Sequence, residues 1–133
     1  MPRSVLLIED NPQNQYLATF LLESHGYLVA AASDGPRGVA LARDGRPDII
    51  LLDIQLPEMD GYEVARALRT IDHLVRTPVI AVTSYAMVGD REKAFAAGCN
   101  GYIEKPIDPE TFVADIERVH ALHLERFDGG APR

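Results

Sequence analysis

The sequence predicts a doubly wound α/β domain with a parallel sheet covered on both faces. Three observations carry this. Short, uninterrupted apolar runs rich in Val, Ile and Leu recur along the chain; stretches with helical spacing separate them; and residues that cap or end helices stand at the joins. A length of 133 residues suits one such domain.

The elements follow in order. Val5 to Ile8 reads as the first strand, and Asn11-Pro12 opens a helix carrying Leu17, Phe20 and Leu21, because Asn caps free amides and Pro forfeits nothing at the first helical position. Gly26 ends that helix, Leu28 to Ala32 is the second strand, and Gly45 closes the second helix. Ile49 to Leu52 is the third strand, followed by a helix opened by the Asp60-Gly61-Tyr62-Glu63 box. Val79 to Val82 is the fourth, followed by a helix over about Val88 to Ala97 that stops at Gly98. Tyr102 and Ile103 mark a weaker fifth strand, and Asp108-Pro109 opens a last helix carrying Phe112, Val113, Ile116 and Val119. Each apolar run reads as a buried strand, and the three glycines as left-handed stops. The domain is expected over residues 3–124, with 125–133 a frayed tail containing Asp128-Gly129-Gly130-Ala131-Pro132.

Composition narrows the function. Twenty acidic and thirteen basic side chains give a formal charge of -7, with no basic run to track a phosphate backbone, so nucleic acid is not an expected partner. The lone cysteine, Cys99, excludes an internal disulfide, and no apolar run is long enough for a signal segment or a membrane span; a cytoplasmic setting is expected.

In open parallel sheets, ligands bind beyond the carboxyl ends of the strands. Here those positions carry Glu9 and Asp10 after the first strand, Asp53 after the third, Thr83 and Ser84 after the fourth, and Lys105 after the fifth. Singly, each has a plain explanation. Glu9 and Asp10 suit the positive end of a helix, Asp53 a turn, and Lys105 a solvated surface. Together they meet at one mouth, where carboxylates in contact repel by about 4 kcal/mol per pair at roughly 4 Å and an effective dielectric near 20. Either a proton held with a raised pKa or a cation offsets that cost, and an oxygen-only ligand set with room for water suits Mg²⁺ better than Ca²⁺. With Asp10 and Asp53 on the metal and Glu9 orienting its waters, Asp53 is placed to attack phosphorus. Lys105 and Thr83 would then meet the phosphoryl oxygens.

Four separated motifs in order, Leu6-Leu7-Ile8-Glu9-Asp10-Asn11, Asp53-Ile54-Gln55-Leu56-Pro57-Glu58-Met59-Asp60-Gly61, Ala81-Val82-Thr83-Ser84 and Tyr102-Ile103-Glu104-Lys105-Pro106, resemble the receiver domains of two-component response regulators. The resemblance implies a flavodoxin-like sheet of five strands in the order 2-1-3-4-5 with five flanking helices. It also implies Glu9 and Asp10 as the acid pair for Mg²⁺, for which Mn²⁺ can substitute. Asp53 is then phosphoacceptor and ligand, Gln55 lends its backbone carbonyl to the metal, and Thr83 and Lys105 contact the phosphoryl group. Tyr102 is implied as a switch aromatic moving with Thr83, Gln55 and Tyr85 as tuners of phosphoryl lifetime, and Lys105-Pro106 as a cis bond.

A histidine kinase or histidine phosphotransfer protein is the expected phosphodonor, and a downstream protein the expected partner, met through helix 4, strand 5 and helix 5, where Met87, Val88 and Ala94 are candidate contacts. Such a module is a signalling protein that promotes only its own aspartyl phosphorylation and dephosphorylation. Glu9-Asp10-Asn11, Met59-Asp60-Gly61 and Ala86-Met87 resemble stand-alone receivers and those of hybrid histidine kinases, so a fragment of a hybrid kinase is an alternative. A flavodoxin-like cofactor binder wants a Ser/Thr/Gly-rich phosphate cradle where Glu9-Asp10-Asn11-Pro12 stands, and a haloacid-dehalogenase-like phosphatase wants Asp-x-Asp after its first strand. A degenerate scaffold receiver would have lost its acids, threonine or lysine. His25, His73, His120 and His123 show no phosphodonor context; His120 and His123 are expected to be solvated near a helix end, and Cys99 to be a small packing residue.

Overall fold

The computed structural model describes residues 3–84 and 88–125. Five parallel strands, β1 (Ser4–Ile8), β2 (Leu28–Ala32), β3 (Ile49–Asp53), β4 (Val79–Thr83) and β5 (Gly101–Glu104), form one sheet in the order β2-β1-β3-β4-β5. The helices are α1 (Pro12–Ser24), α2 (Gly35–Asp44), α3 (Gly61–Leu68), α4 (Asp90–Ala96) and α5 (Phe112–Leu124), and a 3-10 turn spans Asp72–Leu74. This is the predicted flavodoxin-like architecture.

Alternation along the strands builds two cores. Leu6, Ile8, Ile50, Leu52, Val79 and Ala81 face Val39, Val64, Leu68 and Ala94 of α2 to α4. Val5, Leu7, Ile49, Leu51 and Ile80 face Leu21 and Leu22 of α1 and Phe112, Val113 and Ile116 of α5. Burial on both faces is why β3 and β4 read as continuous apolar runs.

The caps on α1 and α3 form as predicted. The Asn11 side chain accepts from the amides of Gln13 and Asn14, and Asp60 and Glu63 make a reciprocal capping box. Arg69, the C-cap of α3, reaches further: Nε donates to Gly98 O and Nη1 to Leu74 O, both at 2.9 Å, and Nη2 donates to Asn100 Oδ1 at 2.6 Å. Asn100 Oδ1 also accepts from Val79 N at 2.9 Å, so one guanidinium fastens the end of α3 to the amino ends of β4 and β5.

Several local readings are corrected. Strand β2 is only partly buried: Ala32 is in the core but Leu28 is 59% exposed, because an edge strand has a neighbour on one side only and its faces are half covered. Gly26 and Gly98 take positive φ, but Gly45 is extended, at φ -103° and ψ -172°, since the chain leaves α2 straight toward β3. Asp108-Pro109 starts a turn, with Asp108 Oδ1 accepting from Glu110 N; its carbonyl accepts from the amides of Thr111 and Phe112, and the helix proper begins at Phe112. Helix α4 begins at Asp90, after Gly89 at φ +91°. His120 and His123 are buried: His120 Nδ1 lies 3.2 Å from Arg3 Nη1, and His123 Nε2 lies 2.6 Å from Arg76 O. These contacts and burial replace the expected solvation.

Candidate functional site

The carboxyl ends of β1, β3, β4 and β5 converge on one pocket. Glu9 follows β1 directly; its backbone N–H donates to Ala32 O at 3.0 Å, which holds it in line with the sheet. Its side chain is fixed from two directions: Oε2 accepts from Asn11 N at 3.0 Å, and Oε1 meets Lys105 Nζ at 2.8 Å. Asp53 ends β3, with Oδ1 accepting from Gln55 N at 2.9 Å and Oδ2 lying 3.4 Å from Lys105 Nζ. Both acids are 3% exposed, while Asp10 is exposed at the rim.

One carboxylate oxygen from each of Glu9, Asp10 and Asp53 can be chosen so that the three lie within 4.8 Å of one another. Burial pushes the Asp53 carboxyl above its ordinary range; the Gln55 amide opposes that shift, the Glu9 charge adds to it, and Lys105 partly offsets it. A pocket with two buried acids, a third at the mouth and a single ammonium bridging the buried pair retains an excess of negative charge. Oxygen donors at this spacing fit a small hard divalent cation.

Each predicted site residue outside the 85–87 segment has a definite place. Thr83 is the last residue of β4 and is buried, and its carbonyl accepts from Lys105 N at 2.7 Å, tying the hydroxyl and amine positions together. The Lys105-Pro106 bond is cis, as the resemblance implied. Gln55 sits between the two loops, its Oε1 accepting from Ser84 N at 3.2 Å. Tyr102 packs its ring against the core of α3 and α4, with Arg91 6.0 Å from the ring centroid; its hydroxyl is buried and lacks a hydrogen-bond partner among the described residues. The readings on Tyr85, Ala86 and Met87 lie outside the described residues. Of the expected interface residues, Val88 is fully exposed, whereas Ala94 is core.

Two further contacts were not foreseen. Gln15 Nε2 donates to Glu9 O at 3.0 Å, bracing the acid loop from the first turn of α1. Gly61 approaches the Asp53–Ile54 segment so closely that a Cβ there would stand 2.4 Å from Ile54 Cα and 2.8 Å from Asp53 O. The Asp-Gly step had signalled a helix start; its second duty depends on a loop contact that local pattern does not encode.

With this geometry in hand, comparison with known proteins is decisive. The family model of the response regulator receiver domain matches residues 5–117. The chain belongs to this family. Among similar proteins, the polar-differentiation response regulator DivK of Brucella anthropi is 46% identical over 117 residues, covering 88% of this chain and 95% of that one. The receiver also resembles the chemotaxis protein CheY4 of Vibrio cholerae, with a TM-score of 0.86 at 29% identity over 90% of this chain and 99% of that one. A third likeness is to the receiver domain of sensor histidine kinase PA1611 from Pseudomonas aeruginosa, whose crystal structure is described with a magnesium ion in the active-site cleft. There the TM-score is 0.83 at 38% identity, covering 91% of this chain and 99% of that one. Receiver domains hold Mg²⁺ at an acidic pocket, and Glu9, Asp10 and Asp53 form such a pocket here. Among the described residues, no helix is long and apolar enough to cross a membrane.

Proposed function

We propose that this receiver accepts a phosphoryl group on Asp53 from a histidine kinase or histidine phosphotransfer protein, and that the modified site alters protein binding over α4, β5 and α5. The observation that carries the reading is the arrangement of Asp53 itself. Its carboxylate is buried at a strand end, ringed by acids and held by one amide and one ammonium.

Mg²⁺, when bound by Glu9, Asp10, Asp53 and the Gln55 carbonyl, supplies the charge neutralisation that lets an anionic phosphoryl group approach an anionic nucleophile. The chain's own groups do the rest. The Gln55 amide fixes Asp53 Oδ1, which leaves Oδ2 as the attacking oxygen. An O–P bond forms as the donor's N–P bond breaks, and the imidazole departs with the bonding pair. Lys105, 3.4 Å from Oδ2, exchanges its contact with Asp53 for one with a phosphoryl oxygen, and the Thr83 hydroxyl turns toward another. Tyr102 then follows Thr83.

The size of the lever is sufficient. Reversing a 1:99 equilibrium takes about 5.5 kcal/mol. Hydrogen bonds to charged groups contribute about 1.5 to 3 kcal/mol each, so two or three made only in the phosphorylated state supply it.

The test is incubation of wild type and Asp53→Asn with acetyl phosphate and Mg²⁺, followed by intact-mass analysis. A single hydroxylamine-labile phosphoryl adduct on wild type alone is expected. An adduct of equal size on Asp53→Asn would reject Asp53 as the acceptor.

A further inference from the structure

We infer that the Gln55 side chain is a built-in stand-in for a phosphoryl oxygen: its Oε1 occupies the Ser84 N–H until a phosphoryl group on Asp53 displaces it. The inference rests on the reading of Asp53 as phosphoacceptor.

Strand geometry shows why that amide is available. Val82 O accepts from Ile54 N at 3.1 Å, so the polar groups of Val82 face β3. Thr83 O accepts from Lys105 N and faces β5. Alternation therefore returns the Ser84 N–H to the β3 side. There the ladder has ended, because the next carbonyl beyond β3, Ile54 O, is taken by Gly61 N at 2.9 Å as the chain turns into α3. The Ser84 amide thus opens over the carboxyl end of β3, beside Asp53.

Gln55 fills the gap. Because the donor is a backbone N–H, the facing atom of the side-chain amide must be its oxygen, which sets the orientation without ambiguity. The same residue's backbone N–H holds Asp53 Oδ1, so Gln55 spans the mouth, gripping the phosphoacceptor with its main chain and the β4–α4 loop with its side chain. A phosphoryl group brings three acceptor oxygens and nearly two negative charges, and an anionic oxygen is a stronger acceptor than a neutral carboxamide. The exchange runs toward the phosphorylated state, but it must first undo the resting contact. Gln55 therefore sets how readily the Ser84 amide is released to the phosphoryl group, independently of any effect on hydrolysis.

The probe is trifluoroberyllate, a phosphoryl mimic that does not turn over, titrated at saturating Mg²⁺ into wild type, Gln55→Met and Gln55→Leu. These variants keep the backbone amide and carbonyl and approximate the side chain's bulk but have no side-chain oxygen. The free protein should bind the mimic about two- to tenfold more tightly in both variants, the range given by one neutral hydrogen bond. In proton-exchange NMR without ligand, the Ser84 amide should exchange faster in both variants than in wild type. Unchanged or weaker binding of the mimic, or an unchanged Ser84 exchange rate, overturns the inference. Failure of wild type to bind the mimic at all would instead remove the phosphoacceptor reading on which it rests.

Discussion

Lys105 and Glu9, carried by opposite ends of the chain, meet at 2.8 Å inside the pocket, and the same ammonium reaches Asp53 at 3.4 Å. The lysine is thus a resident counter-ion for both buried acids.

Replacing it should separate two effects. In Lys105→Met two buried carboxylates lose their cation, so the metal-free protein should lose about 3 kcal/mol, the cost of breaking a buried pair from one side. Mg²⁺ should then raise the melting temperature of the variant more than that of wild type, while the rate of phosphorylation by acetyl phosphate falls by about tenfold or more. Equal stabilisation of both proteins by Mg²⁺ would show that Lys105 and the metal do not share these acids.

Asp53→Asn should do more than abolish the adduct. Asp53 is buried against Glu9, so the uncharged isostere relieves repulsion that Lys105 only partly offsets. In the absence of Mg²⁺ at neutral pH the variant should be more stable than wild type by about 1 kcal/mol, or roughly 4 °C in melting temperature for a domain of this size. Chemical denaturation with and without Mg²⁺ checks this; a less stable variant in the metal-free state would contradict the electrostatic picture.

Gly61→Ala probes the loop. The added Cβ would collide with Ile54 Cα and Asp53 O, both backbone, so the Asp53–Ile54 segment must shift. A loss of about 1 to 3 kcal/mol is expected, together with slower phosphorylation at unchanged Asp53 identity. Wild-type rates in this variant would mean that the close approach is not needed to place the carboxylate.

At the other end of the sheet, His120 should make stability pH-dependent. Burial, then the adjacent Arg3, and more weakly His123 hold its pKa below the usual 6.5, with Asp48 opposing. Arg3 Nη1 is a donor, so His120 Nδ1 accepts and the native ring is neutral. The unfolded chain then binds more protons below the ordinary pKa; the contribution is full above about pH 6.5 and lost as pH falls through the lower folded value. Urea unfolding should show wild type losing stability more steeply than His120→Gln on acidification below that point.

What was legible in the chain depended on how local its cause was. Ile49 to Leu52 and Val79 to Val82 announce themselves because burial on both faces demands uninterrupted apolar residues. Asn11 and Asp60 announce helix starts because a cap is a contact within a few residues. The convergence of Glu9, Asp53, Thr83 and Lys105 was readable from topology, since all stand just after strands. The exposure of Leu28 was not, because an edge strand is defined by a neighbour it lacks. Nor were the burial of His120 and His123 or the Gln55–Ser84 contact, each of which needs a partner far away in sequence, nor the second role of Gly61, which needs the chain to fold back on Asp53 and Ile54 through an irregular loop. Cys99 was read correctly as packing: it is buried, and burial pushes its thiol up to about 11.

The guanidinium of Arg69 gives the sheet a fixed foundation. By binding Gly98, Leu74 and Asn100 it anchors β4 and β5 where they begin, on the side remote from the acids. A shift of Thr83 or Lys105 on phosphorylation would therefore act on strands pinned at their base, like a rod clamped at one end.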